Sequence, residues 1–241
     1  MHTRPLSSKH TLLTYKYPAQ SVQENWFEPT FWLKQNKVYA QKSGRATTYF
    51  FEHQGLRAVL RHYWRGGLIG KVLSDQYFYT DLANTRVYKE FALTCQLHEQ
   101  GLPVVEPIAA MIRRNGLIYR GDIITRALPG AQSLCEKLVA APLEDTLISH
   151  IGTTLARFHQ AGVYHADLNI NNILFGADNQ AHVIDFDRGE LRIPKQQWQQ
   201  QNIVRLQRSF AKEAARQPSF HWQEHHWQRL EQAYLDTLNA L

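Results

Sequence analysis

The sequence predicts an α+β fold arranged as two lobes: an N-terminal lobe built on an antiparallel sheet with one main helix, and a C-terminal lobe that is mostly helical. Three features carry this prediction. From Lys37 to Tyr63 the chain holds runs of β-branched and aromatic residues, broken at Ser43-Gly44-Arg45 and again at Gly55. One segment of helical spacing, 85–101, separates these runs from further strand-like stretches at 109–113 and 117–125. Beyond Pro129-Gly130 the apolar spacing turns helical and stays so, except around Asp178-Asn179. The expected partition is 1–127 for an N-terminal extension plus β lobe and 128–241 for the helical lobe, both within one domain.

The first forty residues are aromatic-rich, with Trp26, Phe27, Phe31 and Trp32 close together, and read as an irregular extension packed on the main body. KVYAQKSGRATTYFFEHQGLRAVLRHY (37–63) reads as antiparallel strands. In TRVYKEFALTCQLHEQG (85–101), Val87, Phe91, Leu93 with Thr94, and Leu97 share a helix face, and Gly101 stands where a terminating glycine belongs. Pro103 and Pro107 precede the next two strands, and ALPGAQSL (127–134) reads as a connector. PLEDTLISHIGTTLARFHQAG (142–162) sets Leu147, Ile151, Leu155 and Phe158 on one stripe, carries acids in its first turn and stops at Gly162. Short strands are expected at Ile173–Phe175 and His182–Phe186, joined through the Asp178-Asn179 turn, and helices at about 195–216 and 221–241.

A chain of 241 residues suffices for one large domain or two lobes sharing a cleft. Its 44% apolar and 12% aromatic content excludes a disordered chain. Cys95 and Cys135 are too few for a disulfide framework, which fits a reducing compartment and two small buried side chains. MHTRPLSSKH lacks the apolar stretch of a secretory signal, and nothing in the chain approaches the ~18 consecutive apolar residues of a membrane span. Lys plus Arg exceed Asp plus Glu by 27 to 21, a formal charge of +6, so anionic partners are favoured. No zinc-finger, helix-turn-helix or RNP pattern is present, so nucleic acid is not among them.

The chemistry concentrates in HADLNINN (165–172) and IDFD (184–187). Asp167 and Asn172 lie five apart on a loop that follows a long apolar helix. Asp185 sits eighteen residues beyond Asp167, at the end of an apolar strand, which holds a carboxylate firmly yet exposes it. Asn172 and Asp185 supply the hard oxygen donors that Mg²⁺ prefers, alongside phosphate oxygens of a substrate. Asp187 is read as a second metal contact, with a plain surface acid as the alternative. Asp167 is then left to accept the proton of an attacking hydroxyl, and His165 to fix the loop by hydrogen bonding. Positioning and charge neutralisation are what phosphoryl transfer requires.

His-x-Asp-x-x-x-x-Asn followed by a strand ending in Asp-Phe resembles the catalytic loop and metal-binding segment of the protein-kinase-like fold. That resemblance implies ATP and Mg²⁺ as cofactors and a nucleotide site in the first lobe. The turn at Gly44, Arg45, Ala46, Thr47 and Thr48 then lies over the phosphates, with one glycine where the kinase pattern has three. Ala58-Val59-Leu60-Arg61 resembles the kinase Val-Ala-Ile-Lys, with Arg61 as the phosphate-binding cation and Lys71 as the runner-up. Glu90 is the ion-pair partner on the following helix, and Ile124–Leu128 the hinge that would pair with adenine.

The chain lacks the Ala-Pro-Glu and the long activation segment of protein kinases, passing from Asp187 almost at once to Arg188-Gly189. GRATTYFF (44–51), LRHYWRGGLIGK (60–71), EFALTCQLHEQGLPVVEPIAA (90–110), YHADLNINNILF (164–175), VIDFDRG (183–189) and RLQRSF (205–210) together resemble the 3-deoxy-D-manno-octulosonic acid (Kdo) kinases, relatives of heptose kinases. Ala46 departs from the second glycine expected there. The resemblance implies phosphorylation of the Kdo 4-hydroxyl on Kdo-lipid IVA in lipopolysaccharide inner-core assembly. It also implies a peripheral protein on the cytoplasmic face of the inner membrane. Arg65, Arg188, Arg192, Lys195, Arg205, Arg208 and Lys212 would supply attraction to the anionic surface, and N-terminal Trp and Phe side chains an apolar anchor. The sequence assigns no oligomeric state. The alternatives are a kinase of the same fold acting on heptose, an aminoglycoside-like compound or a protein, and a non-catalytic pseudokinase that binds anionic lipid. A polycationic aminoglycoside calls for an acidic site, against the charge balance here. A mere binder has no use for Asp167, Asn172 and Asp185 together.

Overall fold

The structure is a computed structural model that describes residues 1–18, 20–43, 47–64 and 75–240. Gly44, Arg45 and Ala46 of the expected phosphate turn, and Arg65 and Lys71, lie outside the described residues. The chain falls into two compact units, Met1–Gln96 with Val105–Ala127, and Leu97–Val104 with Leu128–Leu241.

Among the described residues of the first unit, eight strands form one sheet. They are β1 (His2–Pro5), β2 (His10–Thr14), β3 (Val38–Ser43), β4 (Thr47–His53), β5 (Leu56–His62), β6 (Tyr77–Phe78), β7 (Pro107–Asn115) and β8 (Ile118–Arg126). Their order is β1-β2-β7-β8-β5-β4-β3 with β6 attached to β8, and every pairing is antiparallel. The two-residue period of β5 sends Ala58 and Leu60 to one face and Arg61, followed by Tyr63, to the other. The first face carries a core of Trp26, Phe27, Trp32, Phe51, Met111 and Ile124, with the rings of Trp32 and Phe51 stacked 4.1 Å apart. The second face receives helix α2 (Arg86–Glu99), whose Val87, Phe91 and Cys95 pack with Tyr63, Ile112 and Ile123. Each such fully buried side chain contributes roughly 1.5–3 kcal/mol. Gly121 lets the helix come close, because a Cβ there would stand 2.1 Å from Val87 Cγ2.

The N-terminal segment differs from its expected form. It contributes β1, β2, a 3-10 turn at Glu24–Phe27 and a short helix α1 (Pro29–Lys34). Leu12 and Leu13 are both buried, on opposite faces of the sheet, so β2 shows no alternation of polar and apolar residues. Trp26, Phe27 and Trp32 are core side chains and cannot serve as surface anchors, since an aromatic ring held against a sheet offers nothing to a bilayer.

The second unit contains α3 (Leu134–Ala140), α4 (Asp145–Gln160), α5 (Gln196–Ala214) and α6 (Glu224–Asn239). It also contains β9 (Gln132–Ser133), β10 (Val163–Tyr164), β11 (Ile173–Phe175), β12 (Ala181–Val183) and β13 (Glu190–Leu191), paired as β12-β11-β9 and β10-β13. The presumed connector thus starts a helix: Ser133 Oγ accepts from the Glu136 amide while Glu136 accepts from that of Ser133, a reciprocal cap. Helices α4 and α6 pack at close range across Gly152, where a Cβ would lie 2.2 Å from the Leu230 carbonyl oxygen. The strand expected to run to Phe186 ends at Val183, because the backbone turns at Asp185, whose φ is +64°.

Candidate active site

The loop after α4 leaves β10 at Tyr164 and returns to regular structure at β11. A closed ring of hydrogen bonds ties it to the segment after β12. The Asp167 amide donates to His165 Nδ1 at 3.1 Å, and the Asn172 side-chain amide donates to the Asp167 carbonyl at 3.0 Å. The Ile184 amide donates to the Asn172 carbonyl at 3.0 Å, and His165 Nε2 lies 2.9 Å from the Ile184 carbonyl. Because Nδ1 accepts, the ring proton sits on Nε2, and His165 is a neutral imidazole using both nitrogens. Burial is the main cause that pulls its pKa below the usual imidazole value, against the carbonyl of Ile184 and the charges of Asp185 and Asp167. His165 therefore holds Asp167, Asn172 and the residue before Asp185 in one circuit.

The side chains on this circuit differ in exposure. Asp167 presents its carboxylate to solvent at 60% exposure, with Arg205 Nη1 of α5 at 3.4 Å from Oδ1. Asn172, Asp185 and Asp187 are half-buried, and Phe186 between the two acids is buried against His165 and Phe158. The Asn172 amide nitrogen is committed to the Asp167 carbonyl, which orients its oxygen as the remaining group of that side chain. Among the described residues no three His, Cys, Asp or Glu side chains gather as a complete metal cage. An amide oxygen with one or two carboxylates is instead the incomplete hard-oxygen set that suits an ion retaining water and sharing substrate phosphates.

In the first unit, Arg61 forms an ion pair with Glu90, which is buried at 3% exposure and also accepts from the Tyr63 hydroxyl. The guanidinium lies 5.0 Å from the centre of the Tyr63 ring. Thr47 and Thr48 open β4, opposite Ser43 and Lys42 of β3.

The sequence profile of the lipopolysaccharide kinase (Kdo/WaaP) family matches residues 29–234. The chain belongs to this family. A 3-deoxy-D-manno-octulosonic acid kinase of Vibrio vulnificus strain YJ016 is 41% identical over 208 residues, covering 86% of this chain and 87% of its own length. The protein of the same name from Vibrio cholerae is 40% identical over 78% of this chain and 80% of its own. That from Actinobacillus succinogenes is 38% identical over 92% and 95%. As a member of the family, the chain is a kinase, an enzyme that passes a phosphoryl group to a hydroxyl.

Three residues that support the loop of this kinase escaped sequence reasoning. Asn169 caps the 3-10 turn Ile170–Asn172 by accepting from the Asn171 amide at 2.9 Å, and donates to the Asp167 carbonyl at 2.8 Å. Asn202 of α5, 1% exposed, accepts from the His165 amide at 3.1 Å, and Ser209 accepts from the Ile170 amide at 3.1 Å. Asn202 left a signal: it is a polar residue on the stripe Trp198, Asn202, Leu206, where an apolar side chain belongs. Among the described residues no helix is long and apolar enough to cross a membrane.

Proposed function

We propose that this kinase transfers the γ-phosphoryl group of ATP to the 4-hydroxyl of Kdo on Kdo-lipid IVA, in lipopolysaccharide inner-core assembly. It would act as a peripheral protein on the cytoplasmic face of the inner membrane. The reading takes the fold as two-lobed and protein-kinase-like, 1–127 holding nucleotide and 128–241 carrying catalysis. What supports it most is the hydrogen-bonded circuit through His165, Asp167, Asn172 and Ile184, which ties the residue bearing a solvent-facing carboxylate to Asn172 and to the residue before Asp185. The names of the relatives supply the acceptor sugar.

In this reading Asp167 accepts a hydrogen bond from the acceptor hydroxyl, aligns it, and takes its proton as the new P–O bond forms and the γ-phosphorus to bridging-oxygen bond breaks, releasing ADP. Asn172 and Asp185, with Asp187 beside them, would hold Mg²⁺, whose chemistry when bound is to neutralise charge on the transferring group. His165, neutral and buried, positions Asp167 and exchanges no proton. Gly44, Arg45, Thr47 and Thr48 would cradle the phosphates, and Arg61, oriented by Glu90 and Tyr63, would bind them through its fork of N–H donors.

The test incubates purified protein with labelled ATP, Mg²⁺ and, separately, Kdo-lipid IVA, lipid IVA, heptose-bearing acceptors, an aminoglycoside and a generic protein. Label on Kdo-lipid IVA alone, at the 4-position by NMR, is the expected result. Label on another acceptor, or on none, refutes the assignment.

A further inference from the structure

A groove of about 380 Å³ opens in the second unit between α5 and the start of α6, within the roughly 300–1,000 Å³ typical of small-ligand sites. It is lined by aromatic rings. Phe210 and Trp222 stack 4.1 Å apart, and Trp227 meets Phe210 edge-on at 5.9 Å. Ala211 and Ala214 also line it and, being short, leave the space open. The single acid in the lining, Glu224, is the first residue of α6, where the helix amides offset its charge. Arg208 is exposed and lines the same groove.

Helix α5 lines the groove and also carries Arg205, which contacts Asp167 of the catalytic loop. Arg205, Arg208 and Lys212 are exposed at i, i+3 and i+7, on one face of this helix. Arg205 is the residue that reaches Asp167, and Arg208 lies about 5 Å further along the axis. A ligand anchored at Asp167 and extended along α5 therefore meets two guanidinium groups and then an apolar trough. A water-soluble sugar has no use for the trough. A protein partner needs on the order of 1,000 Å² of buried surface, more than these few side chains offer.

We propose that this groove takes an acyl chain of an anionic, lipid-linked acceptor whose charged head lies along Arg205 and Arg208. The proposal rests on Asp167 facing the acceptor, and it adds where the lipid goes.

Two measurements test it. The first follows tryptophan fluorescence on titration with 11-bromoundecyl phosphate, a single-chain anionic amphiphile, kept below its micelle concentration. Saturable quenching is expected, reduced in Trp222→Phe, which leaves Trp227 in the lining, and lost in Ala211→Phe, which fills the trough from an exposed helix position. The second compares KM for Kdo-lipid IVA with KM for its fully deacylated sugar. Ala211→Phe raises the former by about tenfold, the effect of keeping one or two methylenes out of an apolar site, and leaves the latter and KM for ATP unchanged. Quenching that persists in Ala211→Phe, equal KM values for the two acceptors, or a dimer that Ala211→Phe dissociates would each overturn the proposal. Should neither acceptor be phosphorylated by the parent protein, the functional reading fails, while the quenching still decides the groove.

Discussion

Replacing His165 by Phe isolates the hydrogen-bonded circuit from its apolar surroundings. Phe keeps the ring against Phe186, whose centroid is 5.1 Å away, but it can neither accept from the Asp167 amide nor donate to the Ile184 carbonyl. His165 is 3% exposed, so water cannot readily take its place. Each buried group left unpaired costs ~1–3 kcal/mol, so losing two costs about 2–6 kcal/mol. For a chain of this size that lowers Tm by roughly 4–24 °C. Loosening Asp167 by about an ångström should lower kcat by about 10²-fold with KM for ATP unchanged. A pH signature accompanies this. Burial depresses the His165 pKa, so its contribution is fully present above the unfolded value of about 6.5 and is lost as pH falls below it. Thermal unfolding between pH 7.5 and 5 should therefore show a shallower acid decline in the variant than in the parent. A variant within ~0.5 kcal/mol of the parent in stability, with kcat unchanged, would refute the reasoning.

Three further outcomes are expected. Asp167→Asn, at a side chain whose ion pair with Arg205 is exposed and 3.4 Å long, should change stability by less than ~0.5 kcal/mol. Its turnover should fall by roughly 10²–10⁴, checked by urea unfolding alongside steady-state kinetics. Arg61→Met removes a partner of the buried Glu90 and should cost about 3 kcal/mol and raise KM for ATP. Glu90→Gln in the same chain should recover part of the stability in a double-mutant cycle. His159, whose pKa burial lowers to about 4, is neutral in the fold beside the Tyr234 hydroxyl at 2.7 Å. It should withdraw roughly 3 kcal/mol of stability between pH 6.5 and 4, so His159→Gln should flatten acid unfolding in that window.

The sequence by itself located the main helices and strands, because α2 and α4 each cover one apolar stripe and β3 to β5 are separated by turn residues. It also singled out Asp167, Asn172 and Asp185, three oxygen-bearing residues whose spacing suits the proposed phosphoryl transfer. It missed segments whose cue is not periodicity: β2 is buried on both faces and α3 is short and capped. The aromatic extension around Trp26 and Trp32 does pack on the body as expected, but as core side chains against Phe51 and not as a membrane anchor. Only the tertiary structure decided what holds the loop. His165 meets the Ile184 carbonyl across eighteen intervening residues, and Asn202 reaches it from α5. Local sequence fixes which groups a residue can offer, whereas which of them meet depends on how separate elements pack, and no spacing along the chain encodes that distance.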